Sequence, residues 1–178
     1  SPITQRVVLL TDPEPELWQA VRKSYKALIH RGAERFTASV ADATDCASHF
    51  DQYERLHRRL YAEPRPAATY RMQHAWLHAG HALVALALPP GREAIGAAYW
   101  LIDKGAAYYA SGAYAEDNVA HAVIWRSLLA LKARGVVSAV MAWRGLERTE
   151  KERNVTKFKA GFGGVDIPVA VAEAQYGG

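Results

Sequence analysis

The sequence has very little cysteine: Cys46 is the one cysteine among 178 residues. A lone cysteine cannot form a disulfide within the chain and has no cysteine partner for a metal site, which fits a reducing compartment. The closest histidines are His74, His78 and His81, and they lack the acidic residue of a His-Glu-x-x-His pattern. We therefore expect no bound metal and a cytoplasmic location.

Long apolar runs are also missing. The chain has no stretch of eighteen apolar residues, and its first residues do not combine a basic segment with a short apolar one. Half of the residues are hydrophobic and 22% are charged, which is enough apolar material for one sizeable core. We expect a single domain over residues 1–178, without a membrane span.

The chain is moderately basic, with a net charge of +4 and an isoelectric point near 9.2. This charge permits a nucleic-acid or phosphate partner, although a solvated basic surface is the more common cause. Arg22, Lys26 and His30 recur every four residues in a predicted helix over 15–30, with Lys23 beside them. We interpret this cationic stripe either as a solvated helix face or as a surface that binds the phosphates of RNA or of a nucleotide-bearing substrate.

The order of predicted elements divides the chain into a largely helical part (12–80) and a β-rich core (81–178). In the core, three strands form an antiparallel meander, because turn signals at 89–91 and 103–105 separate them. Outside residues 106–142, the sequence predicts strands over 6–10, 36–40, 82–88, 94–102 and 167–172. It predicts helices over 15–30, 47–60, 69–77 and 147–160.

The stretch from Ala106 to Gly135 forms the centre of the predicted fold. An aromatic strand over 106–114 is followed by a turn, an almost wholly apolar helix over 119–134, and a buried strand over 136–142. Two strands joined by such a helix run parallel with a right-handed crossover. Gly112, inside the aromatic strand, predicts a β-bulge.

Helices, an antiparallel meander and then one parallel βαβ junction follow each other in the order of the GNAT acyltransferase fold. The fold class we predict is α/β (α+β): a mixed, mostly antiparallel sheet with helices on both faces. In that fold the two parallel neighbours separate toward their C-terminal ends and leave a wedge between them.

Several motifs resemble those of the Fem-type, FemAB-like aminoacyltransferases. The motifs are Arg22-Lys23-Ser24-Tyr25 with Ile29-His30-Arg31-Gly32, Tyr108 to Tyr114, His121 with Trp125, and Lys151-Glu152, Asn154 and Phe158-Lys159-x-Gly161-Phe162-Gly163. The resemblance implies transfer of an aminoacyl group from aminoacyl-tRNA to the amine of a small-molecule or peptide acceptor, such as a peptidoglycan precursor, without a cofactor. Fem-type proteins usually carry two GNAT-like units, and this chain resembles the second alone. A separate partner unit or a homodimer would then complete it.

Acyl transfer to an amine needs a neutral nucleophile, a donor to the developing oxyanion and a group that protonates the leaving atom. Lys159 is the candidate oxyanion donor, with Phe158 as an apolar wall, and the resemblance indicates the same pair. The other candidates are Tyr114 and His121 as catalytic residues, and Ser111, Gly112, Trp125, Arg144 and Asn154 as substrate-binding residues. Three of these candidates have a structural alternative: Lys159 as an exposed helix-end lysine, Tyr114 as an ordinary strand aromatic, and His121 as a hydrogen-bonded core histidine.

Two further functions stay open. The first is an acyl-CoA N-acyltransferase of the same fold, with acetyl-CoA as donor. Such enzymes usually hold the pyrophosphate on a glycine-rich loop at the start of the central helix, whereas the turn over 115–119 has no glycine and two carboxylates, Glu116 and Asp117. This turn ranks acetyl-CoA behind aminoacyl-tRNA. The second is a binding module that retains the fold without the chemistry.

Overall fold

The computed structural model describes residues 3–41, 43 and 46–170. The strands are β1 (Thr4–Leu9), β2 (Thr37–Ala41), β3 (Ala82–Leu88), β4 (Gly96–Asp103), β5 (Ala106–Tyr114), β6 (Ser138–Arg144) and β7 (Val165–Pro168). The helices are α1 (Glu14–Ala20), α2 (Lys23–Arg35), α3 (Cys46–Leu60), α4 (Ala67–His78), α5 (Val119–Ala133) and α6 (Glu150–Ala160). The strands form one sheet in the order β2-β3-β4-β5-β6-β1-β7.

This architecture confirms the predicted fold class. The β5–β6 pair is parallel, and the other strand pairs of the described residues are antiparallel. Helices α1, α2 and α5 pack on one face of the sheet, and α3 and α4 pack on the other. The meander carries alanines, among them Ala85 and Ala98, beneath the apolar helix α5, which lets the helix lie close to the sheet.

The parallel strands β5 and β6 separate after a short paired segment, as predicted. Their pairing covers only 106–108 against 138–140. Beyond that point, within the described residues, β5 pairs only with β4, and β6 pairs only with β1. Helix α6 packs against β6 beside the gap. The inner edges of both strands therefore border an opening instead of a sheet ladder.

The single helix predicted over 15–30 is wrong, because the chain breaks between α1 and α2. Val21 and Arg22 have extended backbone angles, and the N–H of Arg22 donates to the carbonyl of Gly161 beyond α6 (2.8 Å). The cationic stripe is therefore not continuous, since Arg22 precedes α2 while Lys26 and His30 lie on it.

The bulge in β5 lies two residues before the predicted position. Tyr99 is opposite Ser111 and Trp100 is opposite Tyr109, so Ala110 is the extra residue. Side chains alternate between the two faces of a strand, and one extra residue puts Tyr109 and Tyr114 on the same face.

Two other boundaries differ from the predictions. Helix α6 starts at Glu150 and not at 147, because Thr149 caps it: the Thr149 hydroxyl accepts from the N–H of Glu152, and the Glu152 carboxylate accepts from the N–H of Thr149. The last strand, β7, starts two residues before the strand predicted over 167–172, because residues 165–168 pair with β1. Residues 171 and 172 of that prediction lie outside the described part of the chain.

We predict that Gly112→Ala destabilises the protein by about 1–3 kcal/mol, as overpacking does. A Cβ atom at this position would lie 2.0 Å from the Tyr109 hydroxyl and 2.7 Å from the Tyr114 ring. Urea unfolding measures the loss. In a Tyr109→Phe background the same substitution should cost less, because the closest atom is gone; an equal cost in both backgrounds would contradict this account.

Candidate active site

Two clefts open where β5 and β6 separate. The wedge cleft has a volume of about 560 Å³ and is lined by Tyr108, Tyr109, Val140, Met141, Ala142, Trp143, Leu146, Glu147, Thr149, Lys151, Glu152, Val155, Thr156 and Lys159. The loop cleft has a volume of about 530 Å³ and is lined by His57, Tyr61, Glu63, Arg65, Tyr109, Ala110, Ser111, Gly112, Tyr114, Ala120, Val155, Phe158 and Lys159. Tyr109, Val155 and Lys159 border both, and both volumes suit a small-molecule ligand.

Lys159 lies on the last turn of α6, with its side chain directed into the gap. Its Nζ is 4.4 Å from the centre of the Tyr109 ring, a cation–π contact. Burial lowers the pKa of Lys159 from 10.5 to about 8. Among the described residues no carboxylate pairs with this ammonium group. A cation in this position can stabilise negative charge that develops in either cleft.

Tyr109 and Tyr114 form the floor of the loop cleft beneath Lys159. Their hydroxyl oxygens are 2.9 Å apart and share a hydrogen bond. Burial raises the pKa of both hydroxyls, so both stay protonated at neutral pH. Gly112 lies between the two rings and leaves room for this pair. The pair can therefore donate a hydrogen bond or a proton to a substrate, but neither hydroxyl is ionised as a resting base.

Phe158 and the end of α6 are held by the start of α2. The Tyr25 hydroxyl donates to the carbonyl of Phe158 (3.2 Å), and the Tyr25 ring covers Gly161, where a Cβ would come within 2.2 Å of it. His121 packs edge-on against Tyr25 at 4.4 Å and against Phe158 at 5.1 Å, and Phe162 completes this aromatic cluster. These contacts fix the direction in which the neighbouring Lys159 leaves the helix.

The opposite wall of the loop cleft comes from α3 and the segment that follows it. The Tyr61 hydroxyl donates to the carbonyl of Gly112 (2.8 Å), and its ring stacks on His57 at 4.4 Å. Burial and then Arg65 lower the pKa of His57, whose Nδ1 is 2.9 Å from the Tyr70 hydroxyl. His57 lies in a helix that the sequence predicts, and Tyr61 and Arg65 lie in a segment with two prolines, Pro64 and Pro66, between two predicted helices. No motif marks any of these three cleft residues.

Of the predicted catalytic residues, Lys159, Phe158 and Tyr114 come together in the loop cleft, with Ser111 and Gly112. His121 does not line either cleft. It is buried in the aromatic cluster, its Nδ1 is 3.4 Å from the Asn118 carbonyl, and burial lowers its pKa. The structure thus gives His121 the surroundings of a core histidine.

The other predicted substrate-binding residues also lie outside the two clefts. Trp125 packs against Trp18, with 5.1 Å between the ring centres. Arg144 forms an ion pair with Asp166 at the end of β6. Asn154 is exposed on α6 and borders a shallow hollow with Lys151.

The residues of the predicted cationic stripe are spread over separate contacts. Arg22 extends from the start of α2 over the Tyr25 ring, at 5.0 Å from its centre. Lys26 donates to the Gln19 carbonyl (3.4 Å), His30 packs edge-on against Trp18 at 5.3 Å, and Lys23 is exposed. Their role in phosphate binding stays a prediction.

The structure shows no group of three or more His, Cys, Asp or Glu side chains arranged to hold a metal ion within residues 3–41, 43 and 46–170. None of the helices in this part of the chain is long and apolar enough to cross a membrane.

The fold and the wedge between its parallel strands define a GNAT-type acyltransferase domain. Residues 18–151 match the family model described as the acetyltransferase (GNAT) domain. The chain therefore belongs to the GNAT acetyltransferase domain family. No curated protein sequence matches it.

Solved structures share this fold at low sequence identity. FemX matches with a TM-score of 0.71 at 11% identity, over 92% of this chain and 59% of FemX. The C-terminal domain assigned to a lysylphosphatidylglycerol synthetase of Agrobacterium fabrum matches with a TM-score of 0.69 at 14% identity, over 93% of this chain and 57% of that one. L-PGS from Bacillus licheniformis matches with a TM-score of 0.63 at 12% identity, over 92% and 57%. The chain thus spans 57–59% of the length of these three proteins.

We predict that the Lys159 amine titrates near pH 8 in the folded protein. Its NMR signal, identified by its loss in Lys159→Met, should move through a midpoint there. Between pH 8 and 10.5 the unfolded chain retains a proton that the folded chain has released, so this lysine makes the free energy of unfolding rise with pH. The contribution of this lysine to the rise in the free energy of unfolding should disappear in Lys159→Met. An NMR titration midpoint of the Lys159 amine above pH 10 would contradict the burial we describe.

Proposed function

We propose that this domain transfers an aminoacyl group from aminoacyl-tRNA to the amine of a small-molecule or peptide acceptor, without a resident cofactor. The observation that carries the proposal is Lys159, an unpaired and partly buried cation between two clefts in the gap of a GNAT sheet. Two clefts that meet at one cation provide separate spaces for an acyl donor and an acceptor. The shared fold of FemX and of L-PGS supports acyl transfer as the reaction class.

In this reaction the acceptor amine attacks the ester carbonyl carbon, and a carbon–nitrogen bond forms while negative charge develops on the carbonyl oxygen. Lys159 stabilises that oxyanion as an ammonium group. The carbon–oxygen ester bond then breaks, the ribose hydroxyl leaves, and the proton lost by the amine must reach that oxygen. Lys159 lies over the Tyr109 ring, and the Tyr109–Tyr114 hydroxyl pair can donate a proton to the leaving oxygen and be reprotonated from the amine.

Acetyl-CoA is the second candidate donor, because the family model describes an acetyltransferase domain. The turn before α5 has no glycine, and Asn118 adopts a left-handed conformation at the N-terminus of the helix. Glu116 in this turn is paired with Arg35 (2.7 Å) and Arg92 (3.5 Å), so its charge is partly neutralised. The missing glycines are therefore a stronger argument against CoA than the carboxylates are.

The domain as described spans little more than half of the solved proteins that share its fold. We propose that a second GNAT-like unit or a second copy of the chain contributes to the complete acceptor site. Arg22, Lys23, Lys26 and His30 are the cations that we assign to the phosphates of the tRNA.

Lys159→Ala should reduce turnover by roughly a hundred- to a thousandfold, the loss typical for one oxyanion donor. Its melting temperature should stay close to that of the unmodified protein, because the replaced cation is partly buried without an ion pair. Lys157→Ala is the matched control, since Lys157 is exposed on the same helix two residues earlier. Phe158→Ala should lose both activity and stability, because Phe158 packs in the aromatic cluster.

The pH profile separates a cationic role of Lys159 from a role as base. Activity should fall as the pH rises through about 8, since the ammonium group is then lost. Lys159→Arg should keep most of the activity and move this limb to higher pH. An arginine variant as inactive as the alanine variant, or activity that increases through pH 8 because of Lys159, would contradict the proposed chemistry.

For the donor, we predict that charged tRNA is consumed and that acetyl-CoA is bound weakly or not at all. Incubating the protein with a pool of aminoacyl-tRNA and, in parallel, with acetyl-CoA, in the presence of the same amines, measures which donor is used. Calorimetry gives the affinity for CoA. Micromolar binding of CoA together with acetyl transfer would show that acetyl-CoA is the donor and contradict our proposal. Consumption of neither donor would favour the binding module.

A further inference from the structure

Arg65 is a second cation of the loop cleft, on the wall opposite the sheet. Its side chain is partly buried. Burial raises the pKa values of Tyr53 and Tyr99, and the charge of Arg65 opposes that rise, while burial and then Arg65 lower the pKa of His57. Within the described residues the guanidinium group forms no ion pair. Glu63 lines the same cleft but does not pair with it.

The segment that carries Arg65 is stiff and well anchored. Pro64 and Pro66 flank it, so the backbone has little freedom on either side, and Pro66 directly precedes α4 in an extended conformation. Tyr61 ties the start of the segment to β5 through its hydrogen bond to Gly112. A backbone held in this way loses little further conformational entropy when Arg65 binds a ligand.

Two partly buried cations border one cleft of about 530 Å³, and neither has an ion-pair partner in the part of the chain that the structure describes. Keeping such charges away from water is unfavourable unless an anion accompanies them. A guanidinium group presents parallel N–H donors that match the two oxygens of a carboxylate. Because Glu63 offsets part of the positive charge of this wall, a singly charged carboxylate fits better than a phosphate dianion.

We propose that Arg65 binds a free carboxylate of the acceptor, so that the acceptor is an amino acid or a short peptide whose amine points toward Lys159 and Tyr109. Lys159 acts on the reacting carbonyl, and Arg65, which lines the same cleft, positions the acceptor. This inference rests on the proposed transferase function and adds the substrate class that the loop cleft selects.

The test compares acceptors that differ only in the carboxylate: glycine with glycinamide, and dialanine with its C-terminal amide. Rates are expressed per neutral amine, because amidation changes the basicity of the amine. The unmodified protein should prefer the free acids in kcat/KM by roughly ten- to a hundredfold, the range expected for a hydrogen-bonded charged group. In Arg65→Gln this preference should disappear, because the kcat/KM for the free acids falls much further than that for the amides. Arg65→Lys should retain part of the preference.

Arg71→Gln is the matched control, since Arg71 is exposed on α4 and does not line the loop cleft. It should keep the full preference. An equal loss of both acceptor types in Arg65→Gln would show that Arg65 supports the fold and not the carboxylate. Competitive inhibition by inorganic phosphate that depends on Arg65, without any preference for free acids, would replace the carboxylate by a phosphate and overturn the proposal.

An NMR titration with dialanine and with its amide separates this inference from the proposed function, because binding needs no donor. Binding of the free acid that is lost in Arg65→Gln, in a protein that consumes no donor, would support the carboxylate site and contradict the transferase. Transfer that proceeds with equal efficiency to acids and amides would support the transferase function and contradict the carboxylate site.

Discussion

The separation of β5 from β6 after three paired residues is the constraint on which the rest of the site depends. Strand edges carry unpaired N–H and C=O groups, which need water, side chains or a ligand. Here the opening is bordered by the end of α6 on one side and by the segment after α3 on the other. Lys159 reaches the opening from α6, and the Tyr61 hydroxyl occupies one exposed carbonyl of β5. The same gap that weakens the sheet therefore creates the clefts.

Several residues of the motifs that resemble Fem-type proteins contact the C-terminal end of α6 and hold it in place. Arg22 and Tyr25 bind the carbonyls at its C-terminal end, and His121 packs between Tyr25 and Phe158. Most of these residues do not touch the clefts, so we interpret them as positioning residues. A lysine that must meet a reacting carbonyl needs a helix end that does not fray, and this cluster provides it.

The strand and helix order was predictable because apolar periodicity and turn residues are local signals. The break at Arg22, the bulge at Ala110 and the loop-cleft residues were not, because each depends on a contact between distant parts of the chain. Gly161 lies 139 positions from Arg22 in the sequence, yet its carbonyl accepts the hydrogen bond from the N–H of Arg22 at the break between α1 and α2. Lys159 could be found from its neighbours Phe158 and Gly161, whereas Arg65 stands between two prolines with no motif around it.

The distribution of charge explains why the clefts need an anionic or polarised ligand. Several arginines elsewhere on the surface are neutralised locally: Arg6 and Arg144 share Asp166, and Arg35 and Arg92 share Glu116. Exposed pairs of this kind contribute little to stability, but they remove charge from the field of the site. Lys159 and Arg65 belong to no such pair in the described chain, and both are partly buried. Glu63 offsets part of the positive field inside the loop cleft, and a substrate that brings negatively charged oxygens, at the carbonyl near Lys159 and at the carboxylate near Arg65, would compensate the rest.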